Sequence, residues 1–125
     1  MLLNQRFLAA FTLGAVAAVF LIVRSAEAHA VLMASSPSLK AQVAGPDVPI
    51  ELRFNVRIDA GRSRLTLVRP DGSAQTLQLS SEASASALTS QAKGLAPGEY
   101  RLRWQVLASD GHLTRGEIPF TVIRS

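Results

Sequence analysis

The chain has 125 residues, with 13 Lys and Arg against 9 Asp and Glu, and no cysteine. That length supports one hydrophobic core and is short for two, and the lack of cysteine excludes a disulfide framework, a thiolate metal site and a cysteine nucleophile. The basic residues are spread along the chain without the aromatic interleaving of a nucleic-acid surface, so nucleic acid is not an expected partner.

Residues Met1 to Ala28 carry Arg6 in a short n-region, an apolar run of 17 residues from Phe7 to Val23, and Ala26 and Ala28 at A-x-A spacing. This pattern reads as a secretory signal peptide cut after Ala28. An uncleaved anchor is the alternative, because the run reaches the lower edge of a transmembrane span. Cleavage leaves residues 29–125 as one domain that does not itself span a membrane, and it makes His29 an amino terminus. Arg6, Arg24 and Glu27 go with the leader, so the remainder has 11 Lys and Arg against 8 Asp and Glu, net +3.

From His29 the apolar period becomes two. Ala30 to Met33 is a short strand expected to stop at Ser35-Ser36-Pro37, and the segment to Pro49, with Gly45-Pro46-Asp47, has loop composition. Ile50, Leu52 and Phe54 alternate with Glu51, Arg53 and Asn55. Leu65 and Leu67 lead through Pro70-Asp71-Gly72 into Thr76 to Leu79, a hairpin with recognisable turn chemistry. Ser80 to Ser90 reads as a loop with a short strand from Ala87. After Gly94-Leu95-Ala96-Pro97-Gly98, the residues Tyr100, Leu102, Trp104 and Val106 form one face of the longest alternating strand, the expected centre of the core. Arg101 and Arg103 fall on its opposite face, a solvated surface or a docking surface. Ile118, Phe120 and Val122 share the core face of the last strand. Pro119 puts that strand at an edge or turns its missing donor away from a neighbour. About seven short strands without helical period predict an all-β fold, an immunoglobulin-like antiparallel β-sandwich.

The chain has two histidines, His29 and His112. An amino-terminal His29 offers its α-amine and imidazole Nδ1 to one metal ion as a chelate. In Ser109-Asp110-Gly111-His112 the i, i+2 spacing and the permissive glycine let carboxylate and imidazole converge. Asp-Gly is also an ordinary turn dipeptide, so by itself this element reads as a solvated loop. If the two places meet, three nitrogens and one carboxylate oxygen without sulfur suit tetragonal Cu(II). Zn(II) can use the same ligands but gains nothing from a planar chelate. Cu(I) prefers sulfur, and Met33 is the one methionine beyond the leader.

His29-Ala30-Val31-Leu32 with Ser36-Pro37, Leu52-Arg53-Phe54-Asn55, the run Leu95 to Trp104, Ser109 to His112 and the closing Gly116 to Val122 together resemble the CopC family of periplasmic copper-resistance proteins. The resemblance spans essentially all of residues 29–125. It implies a β-sandwich holding Cu(II) through His29, by amine and imidazole, and through Asp110 and His112. It also implies a periplasmic location and work beside a CopD-type inner-membrane copper protein. The methionine-rich loop that serves Cu(I) in some members has no counterpart here. After Asn55 the chain carries Val56-Arg57, where relatives often have an acidic residue followed by proline.

A copper carrier or buffer without catalysis is the expected function. An oxidative copper enzyme built on an amino-terminal histidine chelate is one rival, disfavoured because a hard equatorial carboxylate stabilises Cu(II) against reduction. A metal-free immunoglobulin-like scaffold is the other.

Overall fold

The computed structural model of the chain describes residues 29–81 and 83–125. The predicted leader, and with it the cleavage point at Ala28, lies outside the described residues. Eight strands run in order: β1 Leu32–Ser36, β2 Gln42–Ala44, β3 Val48–Phe54, β4 Ile58–Val68, β5 Ala74–Leu77, β6 Ala87–Ala92, β7 Gly98–Ala108 and β8 Leu113–Ile123. Strands β1, β3 and β6 make a three-stranded sheet, and β2, β8, β7, β4 and β5 a five-stranded one in that order. The all-β sandwich expected from the alternation is the fold.

Alternation decides which side of each strand is buried. Ile50, Leu52 and Phe54 of β3, Leu65 and Leu67 of β4, Tyr100, Leu102, Trp104 and Val106 of β7, and Ile118, Phe120 and Val122 of β8 all enter one core. No polar or charged side chain among the described residues is buried with them. The two sheets meet where the Phe54 ring stands edge-on to Trp104, with centroids 5.3 Å apart. Strand β7 lies third of five, the central position its pattern predicts. At its start the Tyr100 hydroxyl donates to the Ala96 carbonyl at 2.7 Å. This ties the incoming corner to the strand, in the manner of the tyrosine corner of immunoglobulin-like folds.

Several boundaries differ from expectation, each for a physical reason. The segment read as loop before Pro49 contains β2, which pairs parallel with β8 through Gln42↔Thr121 and Val43↔Val122. Three residues are too few to show a period. Strand β1 passes through Ser35 and Ser36 instead of stopping, because β3 supplies partners in Leu52 and Glu51. Tertiary pairing there outweighs the turn preference of serine. The lower half of β4 escaped the pattern because a bulge between Asp59 and Arg64 breaks its register against β7. The Ser63 hydroxyl bridges the gap, donating to Asp59 O and accepting from Leu107 N.

The turn residues behave as their chemistry requires. At the β4–β5 turn, Asp71 accepts hydrogen bonds from the Ser73 hydroxyl and amide, which hold its carboxyl below the ordinary value. Pro119 sits where β8 has not yet met β2, and its carbonyl accepts from Lys40 N on that side. Its missing donor therefore faces a stretch with no ladder to break.

Gly116 is opposite Trp104 in the β7–β8 register, and the indole lies directly over it. A Cβ there would collide with the Trp104 ring at Cζ2 and Cε2, an approach no packed side chain tolerates. Gly116→Ala is therefore expected to destabilise the domain by about 1–3 kcal/mol, the usual cost of overpacking. In a Trp104→Leu background the same change should cost much less, since the ring that collides is gone. Urea denaturation of the four proteins checks this; additive losses would mean that the indole does not lie over Gly116.

Candidate metal centre

The two histidines meet at one end of the sandwich. Ala30 is buried in the core, and the next residue is clamped: Asn55 Oδ1 accepts from Val31 N at 2.6 Å while Asn55 N donates to Val31 O at 3.1 Å. His29, one residue further out, is thereby held beside the β7–β8 hairpin.

That hairpin turns through Ser109-Asp110-Gly111-His112. Ala108 N donates to His112 O and Gly111 N to Ala108 O, both at 2.9 Å. Gly111 has φ +91°, a conformation side chains rarely adopt, so the glycine is needed for closure. A further bond from Ser109 N to Arg57 O, 3.0 Å, ties the loop to the β3–β4 connection. The backbone of Arg57 is thus part of the support.

Within the loop, Asp110 Oδ1 accepts from His112 N and Asp110 Oδ2 lies against His112 Nδ1, both at 3.0 Å. The convergence foreseen for this pair is real, but it comes from the turn and not from an extended i, i+2 arrangement. The hydrogen bond from the His112 amide, then that from its ring, and the nearby His112 and His29 imidazoles keep the Asp110 carboxyl in its charged form below its ordinary pKa. The rings of His29 and His112 have centroids 5.0 Å apart at an interplanar angle of 64°.

The donor types, two imidazoles and one carboxylate reachable from solvent, suit a divalent metal that takes nitrogen and oxygen and not a sulfur-seeking one. Among the described residues, no three His, Asp or Glu side chains are drawn together tightly enough to form a shell by themselves. In the uncleaved chain the His29 nitrogen is an amide, and only a chain that begins at His29 has an α-amine there.

Sequence reasoning located both histidines and Asp110 but missed Asn55, which it assigned only to a wet strand face. The signal was its place directly after Phe54, where the strand ends and a side chain is available to bond a neighbouring backbone.

Fold and site together define a cysteine-free β-sandwich with a histidine ahead of its first strand and an Asp-Gly-His hairpin beside it. The chain belongs to the CopC family, whose domain model matches residues 32–123. The matched range includes Asp110 and His112 and starts just after His29. The chain is 32% identical over 106 residues to copper resistance protein C of Xanthomonas campestris pv. juglandis, covering 78% of this chain and 83% of the relative. It is 30% identical over 105 residues to protein YobA of Escherichia coli K12, covering 82% and 85%. Among solved structures, CopC from Methylosinus trichosporium OB3b superposes with a TM-score of 0.71 at 32% identity, over 77% of this chain and 95% of that one. PcoC, a methionine-rich copper resistance protein from Escherichia coli, does so with a TM-score of 0.63 at 27% identity, over 77% and 100%.

Asn55→Ala removes the side-chain acceptor for Val31 N while keeping the strand. A loss of about 0.5–1.5 kcal/mol is expected, the range for one hydrogen bond, together with weakening of the contact between the two imidazoles. Nuclear Overhauser effects between the His29 and His112 rings report that contact. Their persistence at full strength in the variant would show that Asn55 does not position His29.

Proposed function

We propose that residues 29–125 are a periplasmic Cu(II)-binding domain, a carrier or buffer without catalysis, that holds the ion through His29, Asp110 and His112. What carries this reading is one observation: the only two histidines in the chain, 83 residues apart in sequence, have ring centroids 5.0 Å apart. The copper-resistance names of relatives support the choice of metal.

In this reading His29 contributes its α-amine and Nδ1, His112 an imidazole nitrogen and Asp110 a carboxylate oxygen, the ion displacing the hydrogen bond between His112 Nδ1 and Asp110. Cu(II), with its affinity for nitrogen and oxygen donors, suits the set; Cu(I) would find a single sulfur, Met33, which is 67% exposed on β1. A methionine-rich relative therefore has a resource that this chain lacks. A hard carboxylate beside two imidazoles disfavours reduction, which suits holding the ion more than redox turnover. The CopD-type inner-membrane protein implied by the family resemblance is the proposed recipient or source of the metal.

His112→Ala and Asp110→Ala are each expected to weaken Cu(II) binding by about tenfold or more, while the stability of the metal-free protein changes by about 1 kcal/mol or less, as for exposed positions. Competition titration with a chromogenic Cu(II) chelator, alongside urea denaturation, separates the two effects. Unchanged Cu(II) affinity in His112→Ala would defeat the reading, and unfolding of both variants would make the hairpin a structural element instead.

A further inference from the structure

The charge of the domain is concentrated on one face, although it is dispersed in sequence. On β7, Arg101, Arg103 and Gln105 point away from the core, and their cross-strand partners carry them into rows. One row is Arg64, Gln105 and Arg115, the next Thr66, Arg103 and Glu117, the next Val68, Arg101 and Pro119. Two shallow grooves of about 690 and 500 Å³ run over this face. The first is lined by Lys40, Arg69 and Arg101 with Glu99, the second by Arg64, Arg103 and Arg115 with Glu117. The grooves hold six cations against two carboxylates, net +4, whereas all of residues 29–125 sum to net +3. The rest of the surface is therefore slightly acidic in balance.

The cations are held in place. Glu117 accepts from Arg103 Nε at 3.1 Å and from Arg101 at 3.5 Å, and Gln105 accepts from Arg115 Nε at 2.8 Å. The Arg101 and Arg103 side chains nevertheless remain 46% and 53% exposed. Five of the six cations are arginines, whose planar fork matches a carboxylate bidentately. Leu113, 54% exposed, stands on the same face two residues before Arg115, at the hairpin end.

We propose that this outer face of the five-stranded sheet is a docking surface for an extended, acidic segment of a partner protein. Like-facing side chains of an extended segment recur about every 6.8 Å, the same interval that separates Arg101 from Arg103 along β7. Alternate carboxylates would therefore fall into register with successive rows, and an apolar residue at one end would cover Leu113. An anionic lipid surface fits less well. It presents negative charge uniformly and would be repelled by Glu117 and Glu99, whereas a patterned segment can place its carboxylates over the arginines and spare those two positions. The face begins one row from the Asp110 hairpin, so a segment bound there would bring its protein to the histidine end of the sandwich.

The test uses the protein purified from its native compartment and the fluorescent peptide Leu-Thr-Glu-Thr-Glu-Thr-Glu-Thr, followed by anisotropy. Binding is expected below about 1 mM, weakening as salt rises from about 0.05 to about 0.3 M. The double variant Arg103→Glu with Arg115→Glu should lose about tenfold or more. Arg53→Glu with Lys93→Glu makes the same change in net charge on the side of the three-stranded sheet and should lose about twofold or less. Circular dichroism and thermal melting verify folding, and Arg103→Gln with Arg115→Gln gives a milder pair if the first unfolds. No binding, or equal loss in the control pair, overturns the proposal. So does tighter binding to phosphatidylglycerol-containing vesicles than to the peptide with the same dependence on Arg103 and Arg115, which would assign the face to a membrane.

Discussion

Two hydrogen bonds between Val31 and Asn55 determine where His29 can be. A residue ahead of a first strand is ordinarily free to wander; here Ala30 is seated in the core and Val31 is held on both its backbone groups by one asparagine. The β7–β8 hairpin meets it from the other side, closed by Gly111 in a left-handed conformation and anchored to Arg57 O through Ser109 N. Both supports work through backbone groups. Together they bring to 5.0 Å two rings that the sequence keeps far apart.

Strand β7 links the three properties of the molecule. Its even positions fill the core, with Trp104 covering Gly116 and meeting Phe54 across the sheets. The odd positions carry the arginines of the outer face. Its end turns into the hairpin that bears Asp110 and His112. A period of two thus separates packing from surface charge along one strand, and the turn that ends the strand carries the candidate ligands.

Much of this was legible in the residues alone. Strict alternation exposed β3, β7 and β8, because burial on one face leaves a record in every second residue. Pro70-Asp71-Gly72 announced the β4–β5 turn, and Asp110-Gly111-His112 a tight loop, because positive φ and Asx bonding demand particular residue types. What escaped depends on partners distant in sequence. Three-residue β2 is defined by its pairing with β8, and the first half of β4 by a bulge that Ser63 repairs. Asn55 is revealed by the backbone it bonds, 24 residues earlier. The arginines looked dispersed because Arg64, Arg103 and Arg115 become neighbours only when three strands are aligned.

The central claim is that the amino terminus itself is a ligand, and it is tested by a single added residue. Compare a chain that begins at His29 with one carrying an extra alanine before it. Both imidazoles and Asp110 remain, but the α-amine, with an ordinary pKa of about 7.7 to 8.0, becomes an amide that gives up its proton far less readily. Cu(II) titration followed by electron paramagnetic resonance should show a large loss of affinity and altered nitrogen hyperfine structure in the extended chain, with the melting temperature of the metal-free protein unchanged. The same affinity and the same spectrum in both chains would contradict the account.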